Sequence, residues 1–317
     1  MVLDATPRRQ GDPSDLRGMT AAEAMQRDRE LEGIDWSHIP PDIQRWSIDA
    51  PSGRLAGIQA GAPGSLRILL VPGVTGSKED FLLMLPLLAS AGYLVESYDL
   101  AGHYDSIDAG PERLDPPRRH YDHDLFVDDL LAVIDHGEGP VHLLGYSFAG
   151  TVAQLVAVRH PERIASLTLL SCPPVAGQTF RATKSALGPL SRVVGGRQGA
   201  GLMLWGIRQN FNRTPQHRYD FVMARMPRLR RAAIDDVIGL MRRTPDLASE
   251  LAALRLPKLV AYGAHDLWPA GAHERFARDI GARVVRYDEA GHSPCEETPH
   301  QLSRDLLQLI EGTQAEV

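Results

Sequence analysis

The chain of 317 residues is predicted to adopt an α/β fold, a mostly parallel sheet with helices on both faces, and three features carry this prediction. Apolar runs without polar alternation, such as Arg-Ile-Leu-Leu-Val at 67–71, suit strands covered on both faces. From residue 67 onward such runs alternate with helical patterns, and repeated β-α units imply parallel strands with crossover helices. One long stretch, 175–253, lacks strand patterns and reads as a helical insertion over the ends of the strands. With 43% hydrophobic residues the chain can bury a large core, as one big domain with an insertion or as two domains.

The elements follow in order. Residues 1–43 read as an N-terminal extension whose first 18 residues are polar; Thr20-Ala-Ala-Glu23 has the form of a capping box, so a short helix is expected over 21–31. Strands at 44–49 and 55–60 flank Pro51-Ser52-Gly53, a hairpin signal. Residues 44–174 and 254–312 then form the core, with strands at 67–71, 93–100, 141–145, 164–170, 258–262 and 283–287. Helices are expected at 79–91, 120–135, 148–160, 272–280 and 297–310. Inside the insertion, helical stretches fall at 202–209, 217–226, 232–241 and 247–254.

Composition limits the function classes. A net charge of −6 gives no general argument for binding nucleic acid or a bilayer, and no stretch reaches the roughly 20 apolar residues of a membrane span. Arg8-Arg9 is followed by no apolar core, so the start does not read as a secretory signal. The two cysteines, Cys172 and Cys295, argue against a disulfide framework, and a cytoplasmic enzyme is expected. Charge is uneven: residues 175–253 hold 13 Lys and Arg against 5 Asp and Glu, leaving −14 on the rest. That basic insertion is a candidate receiver for an anionic substrate or an acidic acyl-carrier partner, with Arg228, Arg230 and Arg231 as its test cluster.

The chemistry concentrates at Gly145-Tyr146-Ser147-Phe148-Ala149, between an apolar run and a helical stretch. A serine on a sharp strand-to-helix turn is forced into a strained conformation, so the residues two away must be small. The turn lifts the hydroxyl out of the sheet and sets a helix N-terminus beneath it. Ala149 stands where a second glycine is common, and Gly150 follows.

With three further stretches in the same order, the chain resembles the α/β-hydrolase superfamily over residues 44–310. These are Pro72-Gly73-Val74-Thr75-Gly76-Ser77 after an early strand, Asp99-Leu-Ala-Gly102-His103-Tyr104-Asp105-Ser106, and a late acid followed by a histidine. The acid is Asp266 in Tyr262-Gly-Ala-His265-Asp266, and the histidine is His292 in Gly291-His-Ser-Pro294. The resemblance implies a serine hydrolase with an inserted helical cap and a triad of Ser147, His292 and Asp266. A serine hydroxyl needs a base as it attacks, and histidine, with an unperturbed pKa of about 6.5, supplies one near neutral pH. The carboxylate orients the ring and stabilises its charged form. The oxyanion hole is assigned to the backbone N–H groups of Val74 and Phe148. Asp246 and Asp288 compete with Asp266, whose place just past a strand favours it. The alternative acid position reads Ser171-Cys172-Pro173 and holds no carboxylate.

Two departures stand out: Pro72 replaces the histidine that usually buttresses the first loop, and Tyr104 replaces a usual glycine, which would crowd the site entrance. Tyr146, Trp205 and Trp268 are candidate substrate contacts, with Phe211 and Phe221 as further pocket aromatics. His120-Tyr-Asp-His123 offers no convergent metal ligand set, and neither metal nor cofactor is expected. A carboxylic ester cleaved through an acyl-enzyme is the leading substrate class. Carrier or CoA thioesters, lactones, certain carbon–carbon bonds and cofactor-free perhydrolysis stay open, as does a non-catalytic ligand-binding member.

Overall fold

The structure, a computed structural model, describes residues 16–177, 179 and 215–314. Its strands are β1 (Gln44–Ala50), β2 (Gly53–Ala60), β3 (Arg67–Val71), β4 (Leu94–Tyr98), β5 (Val141–Tyr146), β6 (Ile164–Leu170), β7 (Lys258–Gly263) and β8 (Arg283–Tyr287). They form one sheet in the order β1-β2-β4-β3-β5-β6-β7-β8. The β1–β2 and β2–β4 pairs are antiparallel, and every pair from β4–β3 to β7–β8 is parallel.

The solid apolar runs behave as their composition requires. Along β3, Ile68 and Leu70 enter an apolar cluster on one face, while Leu69 and Val71 enter another on the opposite face. Helices α3 (His123–Asp135), α4 (Phe148–Arg159) and α8 (Ala270–Asp279) supply the Leu69 face. Helices α1 (Ala21–Arg29), α2 (Met84–Ser90) and α10 (Pro299–Gln314) supply the other. Because β4 and β5 flank β3 on opposite sides, the order in which strands are added reverses at the β3–β5 gap. A crevice opens at such a switch point, outside the carboxyl ends of the strands.

Two expected helices divide at prolines. The stretch 79–91 is a 3₁₀ turn (Lys78–Phe81) followed by α2. Pro86 has no N–H to bond back to Leu82, but proline is tolerated in a first turn, so the α-helix restarts at Met84. The last helix begins at Pro299, and Pro294–Glu297 forms a separate short helix, α9.

Between β6 and β7 the described residues form α5 (Gln216–Arg225), α6 (Arg231–Met241) and α7 (Ala248–Ala253), matching three of the four expected stretches. The expected helix at 202–209 lies outside the described residues.

In the N-terminal extension the Thr20–Glu23 capping box is formed. The Asp28 carboxylate accepts from the backbone N–H of His300 (2.8 Å) and Gln301 (3.1 Å). These donors of the first α10 turn have no partner in their own helix, so α1 caps α10 across the chain.

Candidate active site

The turn after β5 has the predicted strain. Ser147 sits at φ 52°, ψ −120°, immediately before α4. A Cβ on Gly145 would lie 2.5 Å from the Ala149 carbonyl oxygen, so strand and helix meet too closely for any side chain there. Ala149 is tolerated in this turn, with its methyl buried in the core. The loop after β3 approaches from across the switch point: a Cβ on Gly73 would lie 2.9 Å from Ser147 Cβ. Val74 therefore follows a glycine pressed against the serine, while Phe148 opens α4, whose first-turn N–H groups have no intrahelical acceptor.

Loops after β7 and β8 bring the acid and the histidine. They are tied by backbone bonds from Ala264 N–H to the Tyr287 carbonyl (2.8 Å) and from His265 N–H to the Ala290 carbonyl (3.0 Å). His292 Nδ1 lies 2.6 Å from Asp266 Oδ1, and Ser147 Oγ lies 3.1 Å from His292 Nε2. With the Nδ1 proton directed at the carboxylate, Nε2 is left as acceptor for the serine hydroxyl. Burial pushes the Asp266 carboxyl up, but His292 and His273 beside it outweigh burial and lower it to about 2. The arrangement offers a hydroxyl, a base on it and an ionised carboxylate behind the base. That is what general-base activation of a nucleophile requires.

The competing acids are elsewhere. Asp246 accepts from Ala248 N–H at the start of α7, and Asp288 pairs with Arg286. Cys295 is wholly buried, and burial pushes its thiol well above the ordinary range, which opposes a nucleophilic role. His120 is exposed beside Asp236 (3.2 Å), and among the described residues no group of three His, Cys, Asp or Glu side chains is placed to hold a metal.

Tyr146 and Trp268 flank the histidine, with ring centroids 5.4 and 5.7 Å from the His292 ring. Both are buried; the Tyr146 hydroxyl meets Ser293 Oγ at 2.8 Å, and the Trp268 indole N–H donates to the Thr179 carbonyl at 3.1 Å. Trp205 and Phe211 lie outside the described residues. The Phe221 ring faces the guanidinium groups of Arg218 (5.3 Å) and Arg225 (4.4 Å).

Tyr104 packs against the first loop. It is buried, and its hydroxyl donates to the Thr75 carbonyl in the first loop. The same loop is held at its far end, where Lys78 N–H and Nζ bond both oxygens of buried Asp99 (2.9 and 2.7 Å). Tyr104 and Lys78 thus tie down the loop that Pro72 opens.

Sequence reasoning missed two features. One is His273, buried beneath Asp266. The other is an ionic cluster in which Arg218 bonds Asp80 (2.7 Å) and Glu296, and Arg225 bonds Asp80 (3.1 Å) and Ser77. Neither leaves a local signal, since the partners of Arg218 lie 138 and 78 positions away. The Arg228, Arg230 and Arg231 cluster is not a free basic patch: these side chains pair with Asp105, Glu112 and Asp235 respectively.

Comparison with known proteins agrees with this architecture. A pimeloyl-[acyl-carrier protein] methyl ester esterase of Aeromonas hydrophila is 30% identical over 72% of this chain and 87% of its own length. A pyrethroid hydrolase of Sphingobium wenxiniae is 26% identical over 77% and 88%. Among solved structures, a hydrolase from Pseudomonas aeruginosa superimposes with a TM-score of 0.66 at 23% identity, covering 84% of this chain and 98% of its own. A thermophilic esterase from Thermogutta terrifontis gives 0.63 at 23% identity, covering 85% and 99%. The sequence model of the alpha/beta hydrolase family matches residues 68–305, which contain the strained serine, the acid and the histidine, and the chain belongs to that family.

Proposed function

We propose that the chain is a serine hydrolase cleaving carboxylic esters through an acyl-enzyme. The observation that carries this reading is the continuous Ser147–His292–Asp266 contact sequence, 3.1 and 2.6 Å, at the carboxyl ends of β5, β7 and β8. Ser147 Oγ attacks the acyl carbon while His292 Nε2 takes its proton and then delivers it to the departing alkoxide. Water enters by the same base and releases the acid. Asp266 keeps the ring in the tautomer with a proton on Nδ1, and the N–H groups of Val74 and Phe148 receive the developing oxyanion. Likeness to relatives named for ester hydrolysis supports the ester as the bond cleaved.

Residues 175–253 act as the cap over a core of residues 44–174 and 254–312, with Tyr146 and Trp268 bordering the acyl group. Two unpaired, buried cysteines favour a reducing, cytoplasmic setting. No helix among the described residues is long and apolar enough to cross a membrane. A carrier-bound acyl ester is the second substrate class, favoured by likeness to an esterase named for such a substrate. The arginines expected to steer it are engaged in ion pairs, which weighs toward a small free ester.

The test is hydrolysis of p-nitrophenyl esters of increasing acyl length, with a fluorophosphonate as covalent probe. Ser147→Ala is expected to lose turnover by up to about 10⁶-fold and all labelling. A folded Ser147→Ala protein with wild-type turnover would overturn the assignment.

A further inference from the structure

Asp266 carries two buried oxygens, and they have different neighbours. Oδ1 accepts from His292 Nδ1 and from Leu267 N–H, both at 2.6 Å. Oδ2 faces His273 Nε2 at 2.9 Å, at an angle that makes no hydrogen bond as the ring stands, and neither of these buried atoms has any other partner among the described residues. His273, in the first turn of α8, is fully buried. Its ring lies flat on Tyr262, centroids 4.3 Å apart at 13°, and edge-on to Trp268. Packing on two sides fixes the plane of the ring, and with it the direction of Nε2.

We propose that His273 is a positioning residue for the reaction, donating from Nε2 to the second oxygen of Asp266 so that the first stays aimed at His292. The proposal rests on the triad reading above. A buried carboxylate oxygen without a donor is costly, and rotation of the carboxylate would relieve it. That rotation would take Oδ1 away from His292 and release the tautomer on which base catalysis depends. The tautomer of His273 follows from its surroundings. A proton on Nε2 meets a carboxylate, and Nδ1, which has no partner among the described residues, then carries a lone pair in place of a stranded N–H.

The test replaces the ring while sparing the reacting groups. The titratable groups facing the cluster are Tyr262, with Glu274 and Arg286 behind it, Cys172 near Asp266, and Tyr146 and Glu297 near His292. All remain in the variants, so differences report His273. Removing its donor lets the carboxylate turn, so that Oδ1 stabilises the protonated His292 ring less. His273→Leu is therefore expected to lower kcat about 10–100-fold with little change in KM. The acid limb of its kcat/KM profile should move to lower pH by about one unit. His273→Gln, whose amide nitrogen reaches the same place as Nε2, should restore most of kcat and return the limb to its wild-type position.

A His273→Leu enzyme with wild-type kcat and an unmoved acid limb overturns the proposal. So does a His273→Gln enzyme as impaired as His273→Leu, since ring packing would then be what matters. If His273→Leu does not fold, ¹⁵N NMR of the wild-type protein decides: the proton must reside on Nε2 of His273, and finding it on Nδ1 rules the role out. Ser147→Ala assayed alongside separates the two claims. Activity surviving that change removes the triad reading itself, whereas a silent His273→Leu in an enzyme that Ser147→Ala inactivates removes the role of His273 alone.

Discussion

His103 is wholly buried next to the first loop, with Nδ1 bonded to the Ala101 carbonyl at 2.9 Å, and burial lowers its pKa to about 4. In the unfolded chain a histidine binds its proton near pH 6.5, so between those values the unfolded state holds more protons than the folded one. Stability must fall as pH drops through that window. From pH 7 to 5 this one group accounts for about 2 kcal/mol. Urea unfolding of wild type and His103→Gln at both pH values checks it: the variant should lose about 2 kcal/mol less on acidification, and parallel losses would refute the burial argument. At this scale much of the candidate site was legible. The elbow around Ser147 is local, so steric demands write themselves into adjacent positions, and chain order then singles out Asp266 and His292. Histidine 273 was illegible because it acts through a carboxylate seven positions back, in a stretch whose helical pattern says nothing about what lies beneath it.

Helix α5 carries the clearest element-scale consequence. Its helical pattern was readable, yet its arginines were counted with the rest of a basic surface. Arg218 and Arg225 instead point inward, where Arg218 stacks over Trp36 (4.3 Å) and binds Asp80 and Glu296. Removing one member of a buried ionic group strands the charge of the others, typically at 3–5 kcal/mol. Arg218→Met is expected to destabilise by about that amount in urea unfolding. Replacing Arg228, Arg230 and Arg231 by Gln should cost no more than about 1 kcal/mol each, since those pairs are solvated. The triple variant should also affect anionic and neutral esters equally; selective loss on the anionic one would restore the steering role that their ion pairs argue against.

At the scale of the whole molecule, β-α alternation made the sheet legible, and the solid apolar runs foretold helices on both of its faces. What alternation cannot convey is how the extension before β1 joins the rest. Asp28 caps α10, Arg29 pairs with Glu289 (2.5 Å), and Trp36 lies under Arg218. Deleting residues 1–40 is therefore expected to lower Tm by roughly 5 °C or more. It should also raise KM, because the Trp36 support of α5 is lost with it. A truncated protein with unchanged Tm and KM would show the extension to be dispensable.

The inward arginines set terms for recombination between relatives. A helical insertion transplanted from another member of the family would be laid against Asp80 and Glu296. Without guanidinium groups at the places of Arg218 and Arg225, it would seal those carboxylates away from water with no counter-charge. The unit that can be exchanged is thus discontinuous: the insertion, the Ser77–Asp80 turn and Glu296 have to travel together, or the graft will be rejected by a core that is otherwise a good match.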